Sequence, residues 1–398
     1  MNALGFLLCA CAIVLSVPVT VFLLQAVLAL PPLRPGRAPQ PAIPAQRSRL
    51  VVLVPAHNEE AVIADTLRAL MPQIGQGDRV VVVADNCSDS TRAIAEAGGA
   101  EVLVRTDAVR RGKGYALDFG VRHLEHDPPE MVVIVDADCH VTAGAVDVLA
   151  RKCSQSGRPV QALYLMGTPE GAGLRLRVAG FAWVTRNLVR PLGFLRLGLP
   201  CQLMGTGMAI PWNALKGVSL ASGHIVEDML LGINLALAGT PPLFCPDAVV
   251  SSTFPATEDG ATGQRTRWEH GHLGVILVDA PRLLVRAVAG RSLALLAMAL
   301  DLCVPPIALL ALTVTVLLAA ASALLLCGGM AAPLALAVVL LLMTGGAVFI
   351  AWAGHGWKVI SLASLAFAPV YALGKIPLYA RFVAKRQVEW IRSSRERG

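Results

Sequence analysis

Residues 4–30 run without a single charged side chain, interrupted only by Pro18 and Gln25, and two further runs of the same kind cover residues 307–327 and 331–353. A helix of ~20 residues spans a hydrocarbon core of ~30 Å, so each run is long enough to cross a bilayer. Lipid offers no partner for backbone N–H and C=O groups, which forces such runs to be helical. With 55% hydrophobic and only 15% charged residues, the chain as a whole is too apolar for an ordinary soluble enzyme. Any water-soluble domain must lie between these runs, in residues 50–290.

No Lys or Arg precedes the first run, and its apolar stretch exceeds a signal-peptide core, so residues 1–33 read as an uncleaved anchor. Arg34, Arg37, Arg47 and Arg49 follow it, which places the amino terminus outside and the following chain in the cytoplasm. Residues 34–49 form a semi-rigid, Pro-rich linker. Residues 291–380 form a C-terminal membrane region. It starts with a short interfacial or lipid-depth helix, 292–302, that contains Asp301 and ends before Pro305-Pro306. The two spans follow, joined by an outside turn at Gly328-Gly329. Residues 359–379 are broken by Pro369, Gly374, Lys375 and Pro377 and read as interfacial or re-entrant, because the basic tail 381–398 favours the inside; a fourth crossing with the tail outside is the alternative. The net charge of +7 clusters beside the apolar runs, which suits anionic lipid rather than nucleic acid, for which no binding module is present. None of the nine cysteines forms a C-x-x-C pair, so neither a disulfide framework nor a zinc site is expected.

Within residues 50–290 short β-branched runs alternate with helical patterns. Strands are expected at 50–54, 79–84, 101–105 and from 131, with helices after each, which predicts an α/β domain with a mostly parallel sheet. Three strands end in polar tips, at residues 57–60, 85–89 and 136–138, on what should be one sheet edge. The last tip is the sharpest: Met131-Val-Val-Ile-Val ends in Asp136-Ala-Asp138, and residues two apart in an extended segment project to one side. Both carboxylates can then face one divalent cation, although an isolated D-x-D is also explained by simple capping. Residues 201–210 are apolar with Gly205 and Gly207, which suits either backbone passing close to a ligand or a bulged strand. Glu227-Asp228 opens a helix stopped by Gly239, where capping alone accounts for acids. His270 and His272 lack a third ligand in view and read as structural.

Taken together, Val54-Pro-Ala-His-Asn-Glu-Glu60, Ala84-Asp-Asn-Cys-Ser-Asp89, Arg111-Gly-Lys-Gly-Tyr-Ala-Leu117, Asp136-Ala-Asp138, Val226-Glu-Asp228 and Gln264-Arg-Thr-Arg-Trp268 resemble the membrane-bound branch of the family 2 glycosyltransferases, which includes cellulose and hyaluronan synthases and exopolysaccharide enzymes. The resemblance implies a Rossmann-like GT-A fold in which Asp85 reads the base of a UDP-sugar, helped by backbone around Pro55 and Ala56, with Glu59 and Lys113 lining the same pocket. It implies Mg2+ or Mn2+ on Asp136 and Asp138, and Asp228 as general base with Glu227 beside it. Gln264, Arg267 and Trp268 would close the acceptor and diphosphate end. Here Asp85 stands without a second adjacent acid, which leaves the donor base open, and no cyclic-dinucleotide sensor follows the spans.

The residues and the resemblance lead to an inverting glycosyltransferase of the bacterial inner membrane, moving a sugar from a nucleotide donor to a polysaccharide or glycan acceptor. Addition of one sugar to a lipid-linked acceptor, or polymer synthesis by a homo-oligomer, is the rival reading, because three or four spans give a monomer little material for a channel. A non-catalytic scaffold or transporter does not need Asp228, Arg267 and the acidic pair together. A nicotinamide dehydrogenase is disfavoured because Gly112 and Gly114 do not follow the first strand.

Overall fold

The computed structural model describes residues 2–30, 48–169, 171–254 and 258–384, so most of the Pro-rich linker and all but the first residues of the basic tail lie outside the described residues. Helix α1 (Asn2–Ala29) opens the chain. Strands and helices then alternate as β1 (Leu50–Ala56), α2 (Ile63–Leu70), β2 (Arg79–Asp85), α3 (Thr91–Ala97), β3 (Glu101–Arg105), α4 (Lys113–Leu124), β4 (Met131–Ile134), β5 (His140–Val141), α5 (Ala145–Ser156) and β6 (Val160–Gly167). Next come α6 (Leu174–Val184), α7 (Arg190–Leu195), β7 (Met208–Pro211), α8 (Trp212–Leu215), α9 (Glu227–Leu237), β8 (Leu243–Thr253) and α10 (Glu258–Ala289). Helices α11 (Leu293–Leu302), α12 (Ile307–Leu326), α13 (Ala332–Ala351), α14 (Leu362–Leu365), α15 (Ala368–Leu373) and α16 (Ile376–Ala384) follow.

Among the described residues, 48–169 and 200–271 form one compact unit, and 2–30, 171–199 and 272–384 form another. Residues 171–199, inside the stretch 50–290 expected as a single domain, are thus grouped with the apolar helices, and the division falls within α10.

The first unit is built on an eight-stranded sheet of order β3-β2-β1-β4-β7-β6-β8-β5. Strands β3, β2, β1 and β4 are parallel, as the alternation of strand and helix predicts, whereas β7 runs antiparallel to β4 and β6, and β5 antiparallel to β8. The sheet is therefore parallel in its first half and mixed in its second. Val51 and Leu53 of β1, Val81 and Val83 of β2, and Val132 and Ile134 of β4 are buried with Leu117, Val121 and Leu124 of α4. Each such side chain contributes about 1.5–3 kcal/mol on burial. Gly120 lets α4 lie this close: a Cβ there would sit 2.6 Å from Leu53 Cδ1. The register Pro55↔Val83 and Ala56↔Ala84 brings the C-terminal tips of β1 and β2 level, and β4 pairs on the other side of β1, so the three polar tips share one edge.

The second unit holds four helical segments long and apolar enough to cross a membrane: Asn2–Ala29, Ile307–Leu326, Ala332–Gly356 and Leu362–Phe382. The first three have mean hydropathy 2.5–2.7 and the last only 1.3, and the last is broken into α14, α15 and α16 where Pro369 and Pro377 interrupt the helix. Helix α7 passes α1 so closely that a Cβ on Gly193 would lie 2.2 Å from the Gln25 carbonyl oxygen. Beside that contact is a polar node inside the apolar unit. Gln25 Nε2 and Arg190 Nη2 both donate to Asp301 Oδ1, at 2.7 and 2.9 Å, and Arg190 donates to the Asp301 carbonyl as well. All three residues are buried. Asp301, which the expected helix 292–302 contains, is here the acceptor for two other helices.

Candidate functional site

The site grows from the strand tips. Beyond β4 the chain stays extended for one residue, Val135 N–H donating to the Leu53 carbonyl, and then turns through Asp136-Ala-Asp138 into β5. The turn is pinned from several sides. Thr66 Oγ1 donates to the Ala137 carbonyl at 2.7 Å, the Asp136 N–H donates to Thr206 Oγ1 at 3.0 Å, and Ser252 Oγ donates to Asp138 Oδ2 at 3.4 Å. A carboxylate oxygen of Asp136, one of Asp138 and the Cys139 sulfur all lie within 4.8 Å of one another. Burial, reinforced by the charges of Asp138 and Asp136, pushes the Cys139 thiol well above its usual value. The two carboxylate oxygens fit a hard divalent cation such as Mg2+ or Mn2+. No disulfide or zinc role was expected of the cysteines, and Cys139 lies at the edge of this carboxylate pair.

Lys113, at the start of α4, reaches into this turn. Its Nζ lies 2.5 Å from Asp136 Oδ1 and 3.7 Å from Glu227 Oε1, and donates to the Gly205 carbonyl at 2.7 Å. Burial alone would lower the ammonium's pKa, but Asp136, Glu227 and Asp228 together raise it. Glu227 and Asp228 occupy the first turn of α9. Burial pushes Glu227 up to about 7 against the pull of Lys113, with Asp228 adding to the rise. Asp136 is raised by burial too, opposed by Lys113 and helped by Asp138 and Asp228. Gly205 closes the group: with φ +94° it holds a conformation that L side chains rarely adopt, and a Cβ there would stand 3.3 Å from Asp228 Oδ2. The glycines of residues 201–210 thus serve as close-approach positions, and only residues 208–211 form a strand. On its other side Asp228 borders, with Glu227, Ser222 and Asn234, a cavity of about 210 Å³.

Asp85 belongs to a second cluster at the tips of β1 and β2. Its carboxylate accepts from Arg105 Nη1 at 2.5 Å and from Asn86 Nδ2 at 3.0 Å. Arg105 was not legible as a site residue, since it reads as the last residue of a strand; it is nearly buried and also donates to Asp107 and to the Arg110 carbonyl. Pro55 and Ala56 end β1, and His57 Nδ1 meets the Asp85 carbonyl at 2.6 Å. The Glu59 N–H donates to Thr91 Oγ1 at 2.7 Å, which fixes the loop that carries Glu59.

Gln264, Arg267 and Trp268 lie on α10 at i, i+3 and i+4, one helix face. The helix itself was not expected over this stretch. It packs on the loop ahead of α9: a Cβ on Gly271 would lie 2.4 Å from Val226 Cγ1, next to Glu227 and Asp228. The Gln264 Oε1 atom is buried and has no hydrogen-bond partner among the described residues.

Residues 47–271 match the model of the glycosyltransferase-like family 2. That is more than half of the chain, which belongs to this family. The probable glycosyltransferase YdaM of Bacillus subtilis is 26% identical over 244 residues, 58% of this chain and 56% of that protein. An uncharacterized glycosyltransferase of Mycobacterium tuberculosis is 31% identical over 134 residues, 34% of this chain and 52% of its own length. The chain thus spans about half the length of these relatives. Among solved structures, the mannosyltransferase PcManGT from Pyrobaculum calidifontis, in complex with GDP-Man and Mn2+, superimposes with a TM-score of 0.55 over 97% of this chain and 99% of that one, at 18% identity. The likeness shows that the GT-A-type sheet with flanking apolar helices is a shared fold.

Proposed function

We propose that this chain is an inverting glycosyltransferase that moves a sugar from a nucleoside diphosphate donor, a UDP-sugar by the resemblance, to a hydroxyl of a glycan acceptor held at the cytoplasmic face of a bacterial inner membrane. The observation that carries this reading is the convergence of Asp136, Asp138, Lys113, Glu227 and Asp228 from three separate elements at one sheet edge. Asp136 and Asp138 would hold Mg2+ or Mn2+, which when bound supplies Lewis-acid stabilisation of the charge on the leaving diphosphate. Asp228 accepts the proton of the acceptor hydroxyl, whose oxygen then forms a bond to the anomeric carbon as the bond to the diphosphate breaks. One displacement inverts the carbon. Asp85, with Pro55, Ala56 and Glu59, orients the donor base; Arg105 fixes the Asp85 carboxylate. Arg267 would supply a planar cation to the diphosphate, Gln264 brings an unmatched buried acceptor, and Trp268 would offer an apolar platform for a sugar ring.

Four candidate spans favour a second reading of the acceptor, a lipid-linked molecule that receives one sugar, over a long polymer threaded through a monomer. The mannosyltransferase of Pyrobaculum was crystallised with GDP-Man, so the donor test includes both bases. Detergent-solubilised protein is incubated with Mn2+ and a panel of UDP- and GDP-sugars, and nucleotide release is scored, followed by labelled transfer in native membranes. The reading expects metal-dependent release from one donor; a product ladder marks a polymerase, and a single lipid-soluble species marks the lipid acceptor. No release from any donor, with Asp228→Asn silent in cells, leaves a scaffold or transporter.

A further inference from the structure

Lys113 sits where a cation would be expected. Its ammonium touches Asp136 Oδ1 at 2.5 Å, lies 3.7 Å from Glu227 Oε1, and takes the Gly205 carbonyl as a third oxygen partner at 2.7 Å. Three oxygens around one mostly buried positive charge describe a coordination shell as much as a salt bridge. The neighbouring group is strongly acidic: Asp136 from the turn after β4 and Glu227 and Asp228 from α9 act on it, with Asp138 beside Asp136. Four carboxylates this close repel one another, and the sheet unit needs a positive charge among them whether or not a metal is present. Lys113 cannot leave easily, because it is the first residue of α4 and the next residue, Gly114, is wedged: a Cβ there would stand 2.5 Å from the Ser222 carbonyl and 2.7 Å from that of Leu220. Its backbone is fixed, and only the flexible four-carbon stem can swing.

We propose that Lys113 is a built-in counter-ion that competes with the divalent cation for Asp136, so that metal entry frees the Lys113 ammonium for the incoming diphosphate. The inference rests on the glycosyltransferase reading for the identity of the metal site and adds a role that the donor-pocket assignment of Lys113 does not contain. Two consequences separate it from simple phosphate binding by a lysine. In the absence of nucleotide the metal meets a competitor and binds weakly. In the presence of nucleotide the displaced ammonium gains a new anionic partner, so metal and diphosphate bind cooperatively through Lys113.

The test is Mn2+ affinity of the full chain in detergent, read from the free-Mn2+ electron paramagnetic resonance signal, with and without UDP. Lys113→Met is expected to bind Mn2+ alone on the order of tenfold more tightly than wild type, because a cationic neighbour at this range shifts a carboxylate's affinity for positive charge by a decade or more. The same variant is expected to lose most of the tightening that UDP gives wild type. Equal or weaker Mn2+ binding by folded Lys113→Met, or an unchanged UDP effect, overturns the proposal. Should the single variant fail to fold, Lys113→Met/Glu227→Gln removes the cation together with its second carboxylate neighbour, and its Mn2+ affinity is compared with that of Glu227→Gln alone, with the same two outcomes. Asp136→Asn and Asp138→Asn report on the underlying site: if neither weakens Mn2+ binding in any background, the metal reading itself fails, whatever Lys113 does.

Discussion

Arg105 Nη1 meets Asp85 Oδ1 at 2.5 Å, with the two side chains only 9% and 8% exposed. A pair this deep does not need to stabilise the fold to matter, because removing one partner strands the other's charge. Arg105→Leu is expected to destabilise the sheet unit by about 3–5 kcal/mol, and Arg105→Leu/Asp85→Leu to restore most of that loss. Donor binding should be lost in both. Urea denaturation together with nucleotide titration checks this, and a stable single variant that still binds donor refutes it.

Glu227 gives the protein a stability that declines as pH rises. Its ordinary value of 4.5 is pushed up to about 7, by burial first. Between these two values the folded state holds a proton that the unfolded state has released, so protonation favours the fold at pH 4.5 and that contribution fades as pH climbs through 7. Asp136, raised by burial as well, pulls in the same direction. Glu227→Gln should flatten the decline between pH 5 and 7.5 by about 2 kcal/mol, measured by denaturant unfolding at each pH.

Gly207→Ala is expected to be severe. The residue has φ +66°, and a Cβ would lie 2.7 Å from Ala162 Cβ and 2.8 Å from Val250 Cγ2. Forcing a methyl into a packed sheet in the left-handed region costs about 2–5 kcal/mol. Gly144→Ala is the control, since it also has positive φ but meets nothing within 4 Å. A smaller thermal shift for Gly207→Ala than for Gly144→Ala would contradict the packing argument.

Asp228→Asn tests the base. The amide keeps the shape of the side chain beside Gly205 and loses only the ability to take a proton. The turnover rate should fall by about 10²–10⁴-fold with donor affinity little changed. Isothermal titration of donor beside a transfer assay separates the two, and a parallel loss of both would mean that Asp228 shapes the pocket instead.

The parallel half of the fold was readable because buried parallel strands are continuous β-branched runs, and residues 50–54, 79–84 and 131–134 are such runs. The second half was not. Strand β8 carries Pro246 and Asp247 in its middle and is accommodated by a register shift between Ala162 and Leu163, a feature that exists only once β6 is beside it. Helix α10 starts in a stretch rich in Gly and Thr with little apolar periodicity, so its helical state depends on tertiary packing such as Gly271 against Val226. The acids and Lys113 announced themselves by type and order. Arg105 and Thr206 did not, because what they contribute is a contact across the sheet or along a loop, and no spacing in the chain encodes it.

The polar node of the helical unit sets an order of assembly. Gln25 and its acceptor Asp301 are 276 residues apart. During synthesis α1 is complete while Arg190 and Asp301 are still unmade, and its one buried amide has no protein partner until the ribosome has passed the whole sheet unit. The apolar helices can close around Gln25, Arg190 and Asp301 only after residue 301 has been made, so α1 waits through the synthesis of the sheet unit for its acceptor.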